Sequence, residues 1–429
     1  MLAVALAVLV LLVGTEAFFS WLAVLNVRHG AAAVDRNAEW FDDRLDVDDT
    51  DELLGYQRAT TGSGQLQGWV GLALVVVVLY SGLFADAVAA VESLGLGTIP
   101  SGVVFFLGVV VAFQLSSIPF DLFDTFVVEE IFGFNEQTPR LWLRDQVVGL
   151  VVTLVIVGLL SAAVMAVVAT FSDLWWVGVW ALFVAFSLAM MVIYPRVIAP
   201  LFNDFEPVEE GELYDAVTDT FDRAGFTCDG IYVMDASRRS GHSNAYFVGF
   251  GAAKRVVLFD TLVEQMDTDE IQSVLAHELA HWKKAHIWKQ VAGTALRMGV
   301  VLFVASQLVT GPWLYEAFGL GSDGPVYAGL ALAALVLQPL LRLTSPIENR
   351  LSLAHEREAD AFAVEVMGDG EPMVGALCRL ASENLSNPFP HPLYETFHYT
   401  HPPIPERVRA IRAHDGSDDA NEAAAASAD

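Results

Sequence analysis

At 429 residues and 54% apolar side chains, the chain exceeds a typical single soluble domain and is far richer in hydrocarbon than a soluble surface requires. Its formal net charge of −29 comes from 52 acidic against 23 basic residues, so the basic footprint of a nucleic-acid binder is absent and no nucleic-acid partner is expected. An acidic excess of this kind keeps a surface hydrated without dictating a fold; it is read as adaptation to the very salty, screened cytoplasm of a halophilic microbe.

The apolar residues gather in seven runs of about 20 residues, long enough to cross a bilayer. They fall roughly at 3–27, 68–90, 99–122, 147–171, 174–202, 291–311 and 327–345. The first run has no basic leader and no small-residue cleavage site, which makes it an uncleaved span rather than a signal peptide. Segments after runs one, three, five and seven hold nearly all Lys and Arg, beginning with Arg28, Arg36, Arg44 and Arg58. The segments after runs two, four and six hold none. The positive-inside rule then puts the N-terminus outside and the C-terminus in the cytoplasm, in a multi-pass protein of the cell membrane.

Three polar stretches interrupt the runs. Residues 29–67 form an acidic, partly helical cytoplasmic loop. Residues 203–290 show helical patterning through Phe221, strand-like runs in "GIYVM", "NAYFVGF" and "RVVLFDTL", and one predicted helix over 268–290. Residues 346–413 open with a helix in "NRLSLAHEREADAFAVEVM" and continue to a Pro-rich "HPLYETFHYTHPPIPER"; 414–429 read as a disordered acidic tail. The two cysteines, Cys228 and Cys378, have neither metal spacing nor an oxidising compartment, and no disulfide is expected.

"HELAH" carries the chemistry. His277 and His281 stand four apart, so on a helix both imidazoles share a face and can bind one Zn²⁺. Glu278, one residue round, is placed to take a proton from a water on that metal. Such a motif arises by chance in about one chain of this length in a hundred, which leaves an ordinary helix with packed histidines a modest prior. His286 lies nine residues from His277, half a turn out of phase on a continuous helix, and is expected on a solvated face.

A catalytic zinc needs a third protein ligand and an open position. Glu356 and Asp360 in "EREAD" are four apart, so one can ligate while the other supports a ligand histidine; Glu358 is expected to face solvent. Runs six and seven form an out-and-back hairpin that returns this helix to the face of the membrane that His277 left.

Together "HELAHW" and "EREADAFA" resemble the integral-membrane zinc metalloproteases of the CAAX prenyl protease type I family. The resemblance extends to "IPFDLFDTFVVEEIFGFNEQT" (118–138), "PLFNDFEPVEEGEL" (200–213), "SRRSGHSNAYFVGFGAAKRVVLFDTL" (237–262) and "HPPIPERV" (401–408). One departure is Leu353 where the family commonly has Arg; Ser352 before it is kept.

The resemblance implies a mainly α polytopic membrane protein, with seven transmembrane helices around a chamber and a cytoplasmic gluzincin-type domain with a small β-sheet. It implies an N-terminal membrane region of five helices (1–202), a catalytic domain in two parts (203–290 and 346–413), and a membrane hairpin between them (291–345). It implies one Zn²⁺ per chain on His277, His281 and Glu356, Glu278 as acid/base, and Asp360 as support. Asn244 would meet a peptide substrate at a strand edge, His242 would contact substrate or end a turn, and His401 would hydrogen-bond the scissile carbonyl. Arg407 would pair with a carboxylate. The implied partners are a peptide or protein substrate, possibly lipidated, and the bilayer. A quality-control protease without prenyl specificity, or a transporter or receptor with a vestigial metal site, are the alternatives.

Overall fold

The computed structural model describes residues 1–37, 40–41, 50–171, 173–228, 230–248 and 255–416. Long helices dominate: α1 (Leu2–Arg36), α2 (Thr50–Tyr80), α3 (Leu83–Glu92), α4 (Thr98–Phe123), α5 (Pro139–Thr170) and α6 (Trp175–Ile193). After a short strand, β1 (Phe205–Pro207), come α7 (Glu212–Arg223), β2 (Gly230–Met234), β3 (Ala245–Val248) and β4 (Arg255–Phe259). The chain ends in α8 (Thr268–Lys283), α9 (His286–Val309), α10 (Val326–Leu343), α11 (Ser345–Met367), α12 (Glu371–Glu383), α13 (Pro392–His398) and α14 (Ile404–Asp415).

Among the described residues, seven helices are long and apolar enough to cross a membrane: Leu2–Val34, Thr50–Tyr80, Thr98–Ile131, Pro139–Thr170, Trp175–Leu201, His286–Val309 and Val326–Leu343. Each overlaps one apolar run. The second run, 68–90, is divided, because Gly82 adopts φ 94°, a left-handed conformation that ends α2 and starts α3 on a new axis. Spans three and five each loosen into a π turn where they leave the apolar zone, at Asp124–Val128 and Tyr194–Ile198. Two arginines of the helical bundle are paired with carboxylates. Arg342 Nη1 lies 2.8 Å from Glu16 Oε2 and its guanidinium covers the Phe19 ring, while Arg297 pairs with Glu348.

The four strands form one sheet in the order β1-β2-β4-β3, with β2 and β4 parallel and the outer pairs antiparallel. β1 has no counterpart in the sequence reading; its three residues, ending in Pro207, lack a strand pattern and gain one only from β2. α7 and α8 cover one face. Val217, Phe221, Val256, Leu258, Leu275 and Leu279 bury completely or nearly so between them, each contributing about 1.5–3 kcal/mol of hydrophobic stabilisation. Asp267 and Glu270 close a capping box at the start of α8, and Arg379 of α12 clamps the same Glu270 carboxylate at 2.9 Å.

The helical ends around residues 29–67 pack inward: Val34, Phe41, Leu53 and Tyr56 join Met373, Leu377, Val408 and Ile411 in one core. Residues 38–39 and 42–49 of that loop, and 417–429 of the expected acidic tail, lie outside the described residues. His414 and Asp415, assigned to the tail from sequence, close the last turn of α14.

Candidate active site

His277 and His281 sit one turn apart on α8, and Glu356 comes from α11, the helix that packs along it. Their donor atoms form a small triangle. The two Nε2 atoms are 3.4 Å apart, Glu356 Oε2 is 3.3 Å from His277 Nε2, and Glu356 Oε1 is 3.4 Å from His281 Nε2. A tetrahedral ion with bonds of about 2.0–2.1 Å holds its donors about 3.3–3.4 Å apart, so two imidazoles and a carboxylate at these separations fit a zinc-sized cation.

Behind the triangle runs a buried chain. Asp360 Oδ1 lies 2.9 Å from His277 Nδ1. Arg407 donates to both oxygens of Asp360, Nε to Oδ2 at 2.9 Å and Nη2 to Oδ1 at 2.6 Å. This bidentate geometry fixes the carboxylate plane, and with it the ring of His277. Glu278, half-buried, senses His277, Glu356, His401 and Arg407. The exposed ring of His401 brings Nδ1 to 2.6 Å from Glu356 Oε2.

The electrostatics follow from burial and these pairs. Burial opposes charge on His277, yet the hydrogen bonds to Asp360 and Glu356 outweigh it and carry its pKa up to about 9. A cation arriving at Nε2 therefore displaces a proton. Burial, reinforced by the nearby charge of His277, lowers His281 to about 4. Glu356 overcomes its own burial through His277 and His401 and is held well below the usual carboxylate range. Asp360 likewise overcomes burial, chiefly through Arg407, and falls to about 2. Glu278 moves the other way: burial pushes its carboxyl up.

The remaining sequence candidates lie at the sheet's end. β3 is an outer strand paired to β4 alone among the described residues. Exposed Asn244 immediately precedes it and turns its Oδ1 onto the backbone N–H of Ala245. His242 directs both ring nitrogens at protein. Nδ1 is 2.8 Å from Asn384 Oδ1, Nε2 is 3.4 Å from Glu129 Oε2, and the ring stacks on Phe134 at 4.2 Å. Tyr56, from the second span, donates to the same Glu129 at 2.9 Å. These contacts tie the strand edge to spans two and three, a link invisible to local sequence patterning because its partners are 73 to 186 residues apart.

This link has a pH signature. Its hydrogen bond to Glu129, aided by Asn384 and opposed by burial, raises the His242 pKa above 6.5. A histidine raised in the fold adds stability below its unfolded pKa and loses that contribution as pH rises through the folded value. Glu129→Gln is therefore expected to lower the melting temperature of detergent-solubilised protein more at pH ~5.5 than at pH ~8.5. An equal decrement at both would disconnect His242 from Glu129.

The structure departs from the sequence reading at His286. The predicted helix 268–290 is two helices, broken where Ala285 takes a left-handed φ of 57°. The break resets the helical phase, and His286 turns inward with 1% exposure instead of facing solvent. Its Nδ1 lies 3.1 Å from His281 Nδ1. Glu358, expected in solvent, is half-exposed and meets His286 Nε2 at 3.1 Å.

The fold and the donor set define an integral-membrane metallopeptidase. Residues 27–204 match the family model for the CAAX prenyl protease N-terminal region of five membrane helices, and residues 207–415 match the model for peptidase family M48. The chain is 39% identical to the CAAX prenyl protease 1 homolog of Oryza sativa subsp. japonica, over 72% of each chain. It is 36% identical to CAAX prenyl protease 1 of Saccharomyces cerevisiae, over 71% of each. The crystal structure of S. mikatae Ste24p aligns with a TM-score of 0.86 at 29% identity, covering 95% of this chain and 98% of that one. The chain belongs to the CAAX prenyl protease 1 family and is a membrane zinc metalloprotease.

Proposed function

We propose that the chain binds one zinc ion through His277, His281 and Glu356 and cleaves peptide bonds near the C-terminus of lipidated proteins at the cytoplasmic face of the cell membrane. The observation that carries the metal assignment is the close approach of the donors: the two Nε2 atoms lie 3.4 Å apart, and each lies 3.3 or 3.4 Å from one oxygen of Glu356. The distribution of Lys and Arg between the polar segments supports an outside N-terminus and a cytoplasmic catalytic domain. Lipidated substrates are supported by the relatives in Oryza sativa and Saccharomyces cerevisiae, which are named for CAAX prenyl proteolysis.

When bound, zinc supplies Lewis-acid polarisation of the scissile carbonyl and makes a water acidic enough to attack. The chain's own groups do the rest. β3, an outer strand among the described residues, would hold a peptide extended along its edge, with Asn244 at its entrance. Glu278 takes the proton of the attacking water and returns it to the leaving amine. Burial raises the Glu278 pKa, which strengthens the carboxylate as the acceptor of that proton. As an imidazolium, His401 donates Nδ1–H to Glu356 and has Nε2–H left to donate to the carbonyl oxygen as charge grows there. Asp360 and Arg407 hold His277, and His242 braces the strand edge rather than occupying it, because both its nitrogens are engaged.

The test pairs metal analysis of purified protein with cleavage of one CAAX peptide in farnesylated and unmodified forms. One zinc per chain and a kcat/KM at least ~10-fold higher for the farnesylated form are expected, since one decade needs only about 1.4 kcal/mol of the lipid's burial energy. Equal cleavage of both would make this a protease without prenyl specificity. Absence of zinc from active protein would overturn the metal assignment.

A further inference from the structure

The proposed chemistry gives no task to the most deeply buried histidine of the site. His286 is the first residue of the sixth span, and it is buried against His281. Its ring stacks on His355, with centroids 4.1 Å apart and planes 13° from parallel, which fixes the imidazole plane. One of its nitrogens meets His281 Nδ1 at 3.1 Å and the other meets Glu358 Oε2 at 3.1 Å.

The protons on this chain have one arrangement compatible with a metal. His281 turns Nε2 toward His277 and Glu356, so Nε2 must carry a lone pair to ligate. In a neutral imidazole the proton then resides on Nδ1, which must donate. Among the described residues it meets His286 Nδ1, which must accept and therefore carries no hydrogen. The His286 proton is then on Nε2, where the Glu358 carboxylate accepts it. Every group has one role, and the chain reads in a single direction from ligand to surface.

The geometry points to His286 and Glu358 as positioning residues that hold His281 in its metal-binding tautomer and orientation through a ligand-to-imidazole-to-carboxylate hydrogen-bond chain. It is the counterpart, on the second histidine ligand, of the Asp360–Arg407 support behind the first. The break at Ala285 is what makes it possible. On a continuous helix His286 would point away from His281, whereas the left-handed residue folds the next turn back over it. The same bond ties the start of the sixth span directly to a ligand, so that span's placement and the ring of His281 are set together.

This inference rests on the zinc reading above, and the experiment separates the two. Zinc affinity is measured by competition with a chromogenic chelator on full-length protein in detergent, for wild type, His281→Ala, His286→Leu, His286→Asn and Glu358→Leu. Cobalt-substituted protein supplies a second readout in the positions of its visible absorption bands. His286→Leu is expected to weaken zinc by about 10- to 100-fold and to shift the cobalt bands, as loss of an outer partner does. His286→Asn, whose amide oxygen can occupy the Nδ1 position, is expected to recover most of the affinity; a packing role would not be rescued by this smaller side chain. Glu358→Leu is expected to weaken zinc in the same direction by a smaller factor.

Wild-type affinity and an unshifted cobalt spectrum in His286→Leu would overturn the positioning role while leaving the zinc site intact. Wild-type protein that binds no zinc, or His281→Ala that binds it unchanged, would instead overturn the zinc reading. If His286→Leu does not fold, half-exposed Glu358 gives the answer: weakened zinc in Glu358→Leu supports the chain, and wild-type affinity there overturns it.

Discussion

Glu278→Gln is expected to retain its zinc and to lose proteolysis by about 10²- to 10⁴-fold, the range that general acid–base catalysis contributes. The side chain is nearly isosteric, and Glu278 contributes no atom to the triangle of His277, His281 and Glu356. What Gln cannot do is accept the proton of the attacking water. A second readout guards against a trivial explanation. Burial raises the Glu278 pKa, so the fold disfavours its charge, and this cost is present at pH values above the unfolded carboxyl pKa and relieved as pH falls below it. A neutral amide removes that cost. Metal-free Glu278→Gln should therefore melt no lower than metal-free wild type at neutral pH. Single-turnover peptide cleavage, metal analysis and a thermal melt on one preparation check all three parts. Undiminished cleavage would remove Glu278 from the mechanism, and loss of zinc would make it a metal-holding group.

The features readable in advance were those encoded locally. Seven apolar runs give seven spans because a bilayer-length helix needs only its own composition. His277 and His281 share a face because the spacing of four is a property of any helix, and Glu356 with Asp360 follows the same rule. What stayed hidden depends on one exceptional backbone angle or on distant partners. Ala285 carries no Gly or Pro signature, yet its φ of 57° decides where His286 points. β1 becomes a strand only by pairing with β2, and His242 acquires its partners from residues 129 and 384. The acidic surplus stands apart from both groups: it sets how the surface meets its solution and leaves no mark on topology.

Arg407→Leu is expected to cost about 3–5 kcal/mol of stability, the penalty for leaving a buried charge without its partner. Asp360 and Arg407 are both nearly inaccessible, at 4% and 8% of side-chain surface, and without Arg407 the Asp360 carboxylate keeps, among the described residues, its contact with His277. The Asp360 carboxyl, now well below its ordinary range, should rise once the guanidinium is gone. The double variant Arg407→Leu/Asp360→Leu separates stability from function. Two apolar side chains can replace a buried ion pair with little net loss, so the double variant should melt above the single one. Its zinc affinity should nonetheless stay about 10- to 100-fold weaker than wild type, because the ring of His277 has lost the acceptor that orients it. That divergence, stability regained while metal binding is not, is what a pair retained for the metal predicts. A double variant that recovered both would reduce Asp360 and Arg407 to packing.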